Sequence, residues 1–281
     1  MKSIVIHIGT EKTGTTSLQR FFALNADILG EAGIWYPTGD KVPYCHHDGH
    51  FPLAASLFDK CPDFVPPHKH FGADKLFAQL LGDFEAREES ALLLSCEHFS
   101  SRCSHPKMIQ RLRKLLGKYH VRILLWVRPQ HELLLSAYST FLKTGGKKTL
   151  EEVSRERWLK TEGIYFNYLR LAQRWWKVFS EPNVLLRVFQ PEAMHEGDLY
   201  RDFIAVFDGQ WRDDIRIPER QNPPICKELA DLLYLANQHF PAFSEEDRAG
   251  WEMGQHFRRE VITLFPSGRP LRLLLSEELK Q

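Results

Sequence analysis

The residues Gly9-Thr10-Glu11-Lys12-Thr13-Gly14-Thr15-Thr16 follow directly on the apolar run 3–8. Their spacing is G-x-x-x-x-G followed by small hydroxyl residues, which suits a loop whose backbone N–H groups and following helix N-terminus face a phosphate. The glycines permit the tight turn, and Thr15 and Thr16 offer hydroxyl donors. Loops that serve nucleotide hydrolysis carry their lysine after the second glycine; here Thr15 holds that place and the lysine stands three residues earlier, at Lys12. A lysine at the loop apex could neutralise charge growing on a bridging oxygen without a metal ion. No strand-end aspartate stands ready for magnesium, because 95–98 supplies Glu97 and position 128 is arginine. The plain alternative is a chain reversal with a solvated lysine.

Three further stretches carry chemistry. Arg128 ends the apolar run 121–127 and presents a planar fork of donors suited to phosphate. Pro129 then suits the first turn of a helix reaching about Lys143. On it Glu132, Ser136, Ser139 and Lys143 form a polar stripe opposite Leu133, Leu134, Ala137, Tyr138 and Phe141, so Ser136 could reach an anion. Glu97 and His98 follow a third apolar run, and either could take a proton. The run 45–50 holds Cys45, His46, His47 and His50, which invite a zinc reading. No paired cluster of standard spacing exists elsewhere, so no metal is expected. The irregular segment 37–72 is expected to be a binding loop on the acceptor side.

These residues need a scaffold that brings strand ends together. Strands are expected at 3–8, 91–95, 121–127 and 183–189, and helices at 17–32, 105–119, 129–143 and 166–179. Such alternation predicts an α/β fold with a mostly parallel central sheet and helices on both faces. Ligands of these sheets bind beyond the carboxyl ends of the strands, so 9–16, 95–98, Arg128 and the 190s should converge. One domain over 1–281 is expected, with a core over about 1–208 and a helical C-terminal part over about 225–281 (helices 225–239, 244–264 and 271–281).

A formal net charge of +1 argues against a nucleic-acid partner and makes any anion site local. The five cysteines, odd in number and irregular in spacing, read as reduced thiols. An apolar run beginning at residue 3 leaves no room for a signal peptide, and no apolar stretch is long enough for a transmembrane segment. A soluble cytoplasmic protein is the expectation.

The stretch HIGTEKTGTTSLQRFF resembles the 5′-phosphosulfate loop of sulfotransferases that use 3′-phosphoadenosine 5′-phosphosulfate (PAPS), whose loops read K-[TSA]-G-T-[TS] after the first strand. LLWVRPQHELLLSAYSTFLK resembles their second motif, an arginine ending a strand and a serine about eight residues on, here Arg128 and Ser136. The likeness covers about residues 3–30 and 121–143, extends to the strands at 91–98 and 183–189, and is closest to bacterial-type members.

The resemblance implies a P-loop-like fold of sulfotransferase type. It implies PAPS as sulfuryl donor, adenosine 3′,5′-bisphosphate (PAP) as product, and no metal. Nucleotide contacts would come from Lys12, Thr13, Gly14, Thr15, Thr16, Ser17, Arg128 and Ser136, and catalysis from Lys12 and Glu97. Cytosolic members place a histidine near position 98 and heparan-modifying relatives a glutamate, so Glu97 and His98 compete; strand ends of the SxEHFS type favour Glu97. Arg220 and Asn222 stand where relatives close over the nucleotide. The acceptor would be a hydroxyl or amine of a small molecule or glycan. A small-molecule kinase on the same loop would need magnesium and a lysine after Gly14. A non-catalytic nucleotide-binding adaptor would keep the loop and lose the chemistry.

Overall fold

The computed structural model describes residues 2–39, 42–62, 65, 71–103, 105–158, 166–207, 209–219, 225–241, 246–265 and 268. The chain divides into two compact units, Met1–Arg128 with Ile164–Arg220 and Pro129–Gly163 with Gln221–Gln281. The first unit runs β1 (Ser3–His7), α1 (Thr15–Leu24), α2 (Ala26–Glu31), β2 (Ile34–Trp35), α3 (Phe51–Ser56), α4 (Ala73–Glu85), β3 (Ala91–Ser95), α5 (His98–Ser101), α6 (Pro106–Leu116) and β4 (His120–Val127). The chain then enters the second unit as α7 (Gln130–Lys143) and α8 (Leu150–Trp158). It returns to the first as α9 (Tyr168–Phe179), β5 (Val184–Val188) and α10 (Leu199–Val206), and resumes the second as α11 (Lys227–Asn237) and α12 (Arg248–Leu264).

The five strands form one sheet in the order β2-β3-β1-β4-β5, parallel at every pairing. Period-two alternation sends successive side chains to opposite faces. Ile4, Ile6, Leu92, Leu94, Ile123 and Leu125 pack with Phe77 and Leu80 of α4, Leu112 of α6 and Trp175 of α9. Val5, Leu93, Leu124 and Trp126 pack on the other face with Leu18, Phe21 and Phe22 of α1 and Phe203 of α10. The α/β architecture with helices on both faces is therefore present. β1 lies at the centre, which puts the loop after it between the ends of β3 and β4.

Three local readings are corrected. The helix expected over 17–32 begins at Thr15 and breaks at Asn25 into α1 and α2. Asn25 is buried and takes over the local hydrogen bonds. Its Nδ2 donates to the carbonyls of Phe21 and Arg216, each at 2.8 Å, and its Oδ1 accepts from Arg216 N–H at 2.8 Å. The segment 37–72 contains a helix, α3. β2 is a two-residue strand, too short to carry an alternation signal.

In the second unit α7 starts one residue after Pro129 and ends at Lys143 as expected, but Ser139 is buried with Leu133, Leu134, Ala137, Tyr138 and Leu142 rather than on the polar stripe. Asn237 of α11 closes the turn after α7, its Nδ2 donating to the carbonyls of Leu142 and Gly146 at 2.9 Å each. Helices α11 and α12 answer to those expected at 225–239 and 244–264, whereas 271–281 lies outside the described residues.

Candidate active site

The loop after β1 is laced to β4. Ile8 N–H donates to Leu124 O at 2.9 Å and Thr10 N–H to Trp126 O at 2.8 Å, so the main chain leaves the sheet along its neighbour. Gly9, Lys12 and Gly14 all take left-handed backbone, with φ of 53°, 67° and 75°. At Gly9 a methyl group would lie 2.7 Å from Thr15 Oγ1, and at Gly14 one would lie 2.6 Å from Leu199 Cδ2 and 3.0 Å from the Phe189 ring. Both glycines are required by space as well as by torsion. Lys12 holds its conformation without that excuse. A non-glycine residue there costs about 1–2 kcal/mol, a strain that concentrates at functional positions.

The threonines split into two roles. Thr13 Oγ1 donates inward to Thr10 O at 2.6 Å and Thr15 Oγ1 to the same carbonyl at 3.4 Å. They brace the loop, and Thr16 is the exposed hydroxyl of the first turn of α1. Ser17 is half-buried, near the Tyr200 hydroxyl. No acidic side chain occupies that first turn, and among the described residues no side chain caps it. Its N–H groups thus face outward where an anion is favoured by the helix dipole.

Arg128 lies at the end of β4, where its Nη1 donates to Lys12 O at 3.3 Å and its guanidinium sits 5.5 Å from the centre of the Phe189 ring. Its carbonyl accepts from the Tyr168 hydroxyl at 2.5 Å. Burial lowers the Lys12 pKa, the charges of Glu11 and Glu97 raise it, and Arg128 lowers it further. Lys12, Arg128 and Glu97 thus share one electrostatic neighbourhood.

Glu97 starts the turn after β3. Its carbonyl accepts from Ser100 N–H at 3.0 Å, Ser100 Oγ at 2.8 Å and Ser101 N–H at 3.1 Å, which fixes the backbone from which its side chain leaves. Its Oε2 accepts from Gln19 Nε2 at 3.2 Å. His98 stands edge-on to Phe51 at 5.1 Å between ring centres. Its pKa is lowered by burial, against the opposing charges of Glu97 and Glu11.

The ends of β1, β3 and β4 therefore converge as the sheet type requires, and β5 contributes through Phe189. Ser136 lies half-buried on α7 in the second unit, its carbonyl accepting from Thr140 Oγ1 at 3.3 Å. Arg220 and Asn222 lie outside the described residues. The histidines at 46–50 do not act together. The rings of His46 and His47 meet edge-on at 4.2 Å, whereas His50 is buried, donating from Nε2 to Pro37 O at 3.1 Å and accepting Ser95 N–H on Nδ1 at 3.0 Å. Among the described residues no three His, Cys, Asp or Glu side chains are grouped to hold a metal ion.

Sequence reasoning overlooked Gln19 and His7, and read His50 only as a candidate zinc ligand, not as a partner of Ser95. His7 is fully buried, with Nδ1 2.8 Å from Ser95 Oγ and its ring edge-on to Trp126 at 5.3 Å. The only local signal for these residues is a polar type at a position that the strand or helix pattern buries.

A family model described as a sulfotransferase domain matches residues 2–190. Among solved structures, the chain is similar to a sulfotransferase from Alicyclobacillus acidocaldarius at 17% identity, with 91% of this chain and 96% of that one covered and a TM-score of 0.49. A sulfotransferase domain from the curacin biosynthetic pathway is 8% identical over 79% of each chain, with a TM-score of 0.44. No curated protein sequence matches the chain.

Proposed function

The chain belongs to the sulfotransferase family, and we propose that it moves a sulfuryl group from PAPS to a hydroxyl or amine of a small-molecule or glycan acceptor. One observation carries this reading: two cations, Lys12 and Arg128, and one carboxylate, Glu97, act on one another around a single strained loop. The bound nucleotide supplies the sulfuryl group and a bisphosphate leaving group.

The chain's own residues divide the remaining work. Backbone N–H groups over Thr13–Ser17 hold the 5′-phosphate side, and the Thr13 and Thr15 hydroxyls keep that loop in shape by bonding inward. Lys12 meets the departing oxygen, where its ammonium offsets charge that grows only as the bond to sulfur breaks. Arg128 offers a planar fork to the 3′-phosphate. Ser136 is assigned to the nucleotide by its place in the motif alone, eight residues after Arg128. Glu97 takes the proton of the attacking hydroxyl or amine. The new bond joins that oxygen or nitrogen to sulfur, and the bridging oxygen leaves with its electron pair.

The test is incubation with ³⁵S-labelled PAPS and separate pools of phenols, aliphatic alcohols, amines and oligosaccharides. Label should pass to one pool with equimolar release of PAP. Tight PAP binding with no transfer to any pool would favour a nucleotide-binding adaptor instead, and phosphoryl transfer from ATP with magnesium would favour a kinase.

A further inference from the structure

We infer that Gln19 is a positioning residue for Glu97 and that Gly49 keeps it in place, so that the loop at 45–50 acts on proton removal through a residue that touches neither substrate. The inference rests on Glu97 being the base. Gln19 lies on α1 one turn after Thr15, so the helix that opens at the phosphate loop also carries an amide to the acid at the end of β3. Its Nε2 donates to Glu97 Oε2 at 3.2 Å and to Ser95 O at 3.4 Å. Both partners are acceptors only, which settles the orientation of the amide, since its oxygen in that place would face a carboxylate and a carbonyl.

The other side of the amide is closed by Gly49. A methyl group there would lie 2.8 Å from Gln19 Cδ, 2.9 Å from Oε1 and 3.0 Å from Nε2. Gly49 is not among the positive-φ glycines, so it is needed for room and not for torsion. The loop cannot simply retreat from a larger residue. Gly49 and His46 exchange N–H···O bonds at 2.9 and 3.2 Å, and the next residue, His50, is bonded to Ser95. The amide is thus held between loop backbone and strand end.

One consequence follows for the acid. The Gln19 contact fixes the plane of the group: Oε2 is anchored, while Oε1 accepts no hydrogen bond among the described residues and is the oxygen left for an incoming proton. Among the described residues, the other titratable groups on which the charge of Glu97 acts are Lys12 on the loop, His98 beside it in the chain, Cys96 and Tyr36. None of these replaces the Gln19 contact.

The experiment compares Gln19→Leu, Gln19→Glu and Gly49→Ala with the unaltered chain, using the acceptor that gives the highest turnover in the pool screen. In Gln19→Leu kcat should fall on the order of 10–10²-fold, as for a reacting group held out of line. KM for PAPS and calorimetric affinity for PAP should stay within about twofold. Gln19→Glu keeps the shape but sets a second carboxylate against the first, so the acidic limb of the pH–rate profile should move to higher pH. Gly49→Ala should lower kcat in the same direction, and Gln19→Leu with Gly49→Ala should be no worse than Gln19→Leu alone, because the methyl acts through the amide. If Gln19→Leu fails to fold, Gly49→Ala and Gln19→Glu carry the test. Turnover and pH profile unchanged in the variants, with Glu97→Gln inactive, would overturn the inference and leave the base standing. Normal turnover in Glu97→Gln would remove the base, and the inference with it.

Discussion

His50 N–H donates to the Ser95 carbonyl at 3.0 Å, and Ser95 N–H donates back to His50 Nδ1 at 3.0 Å. One residue supplies both halves of a ladder pairing, one from its main chain and one from its ring. It does so where β2 has already ended at Trp35, so the last residue of β3 keeps a partner on that flank. The ring serves only while Nδ1 is unprotonated. On the other flank Ser95 Oγ reaches His7.

Acid should therefore loosen this part of the fold. Burial lowers the His50 pKa from 6.5 to about 4 and that of His7 from 6.5 to about 3. Between these values and 6.5 the unfolded chain binds the extra protons, so stability rises with pH and falls on acidification. Each histidine contributes a slope of about 1.4 kcal/mol per pH unit over that window. Thermal melts from pH 7 down to 4.5 should show falling Tm, and His50→Asn should flatten the fall while lowering Tm at pH 7. An equal slope in the variant would refute the assignment of that proton.

Lys12 should matter to the transition state more than to binding. Lys12→Met is expected to lower kcat on the order of 10²–10³-fold with a smaller change in PAP affinity. Single-turnover kinetics beside calorimetry separates the two, and parallel losses would reduce Lys12 to a phosphate ligand. Because burial lowers its pKa, the alkaline loss of activity should begin below the range of a free lysine.

Glu97 and His98 can be told apart by near-isosteric changes. Glu97→Gln should reduce turnover about 10²–10⁴-fold and abolish the acidic limb of the pH profile. His98→Asn should cost far less. The reverse pattern assigns the proton to the histidine packed against Phe51.

Arg128 should discriminate nucleotides. PAP is expected to bind more tightly than adenosine 5′-monophosphate by about 2–4 kcal/mol, since the shorter nucleotide leaves the guanidinium without its phosphate. Arg128→Ala should narrow that gap in calorimetric titrations. It should also slacken the loop, because the Arg128–Lys12 bond is lost.

The features read successfully from the sequence are those encoded over short spans. Gly9 to Thr15 names a turn because the torsions at Gly9 and Gly14 and the Gly9–Thr15 approach lie within seven residues, and the four longer strands declare themselves by runs rich in β-branched residues or leucine. What escaped depends on partners distant in the chain. Asn25 breaks a helix by bonding to Arg216, Gln19 finds Glu97, and His50 completes the flank of Ser95. A glutamine on an amphipathic helix gives no local sign of facing a carboxylate nearly eighty residues on. Two residues of β2 are recognisable as strand only because Ala91 and Leu92 lie beside them.

The central position of β1 has a consequence in time. Ser3 pairs with Ala91 on one side and His120 on the other, so the strand made first is flanked wholly by strands made much later. At about 5–20 residues per second, roughly 6–25 s separate the synthesis of β1 from that of β4. Until β3 is made, Ile4, Val5 and Ile6, all buried in the finished sheet, have no neighbouring strand of β1 to pair with, and the second flank stays open until β4. Slowing elongation prolongs the exposure, whereas a chaperone that holds β1 shortens its effect. The yield of folded protein should accordingly depend on ribosome-associated holdases more than on anything that acts after release.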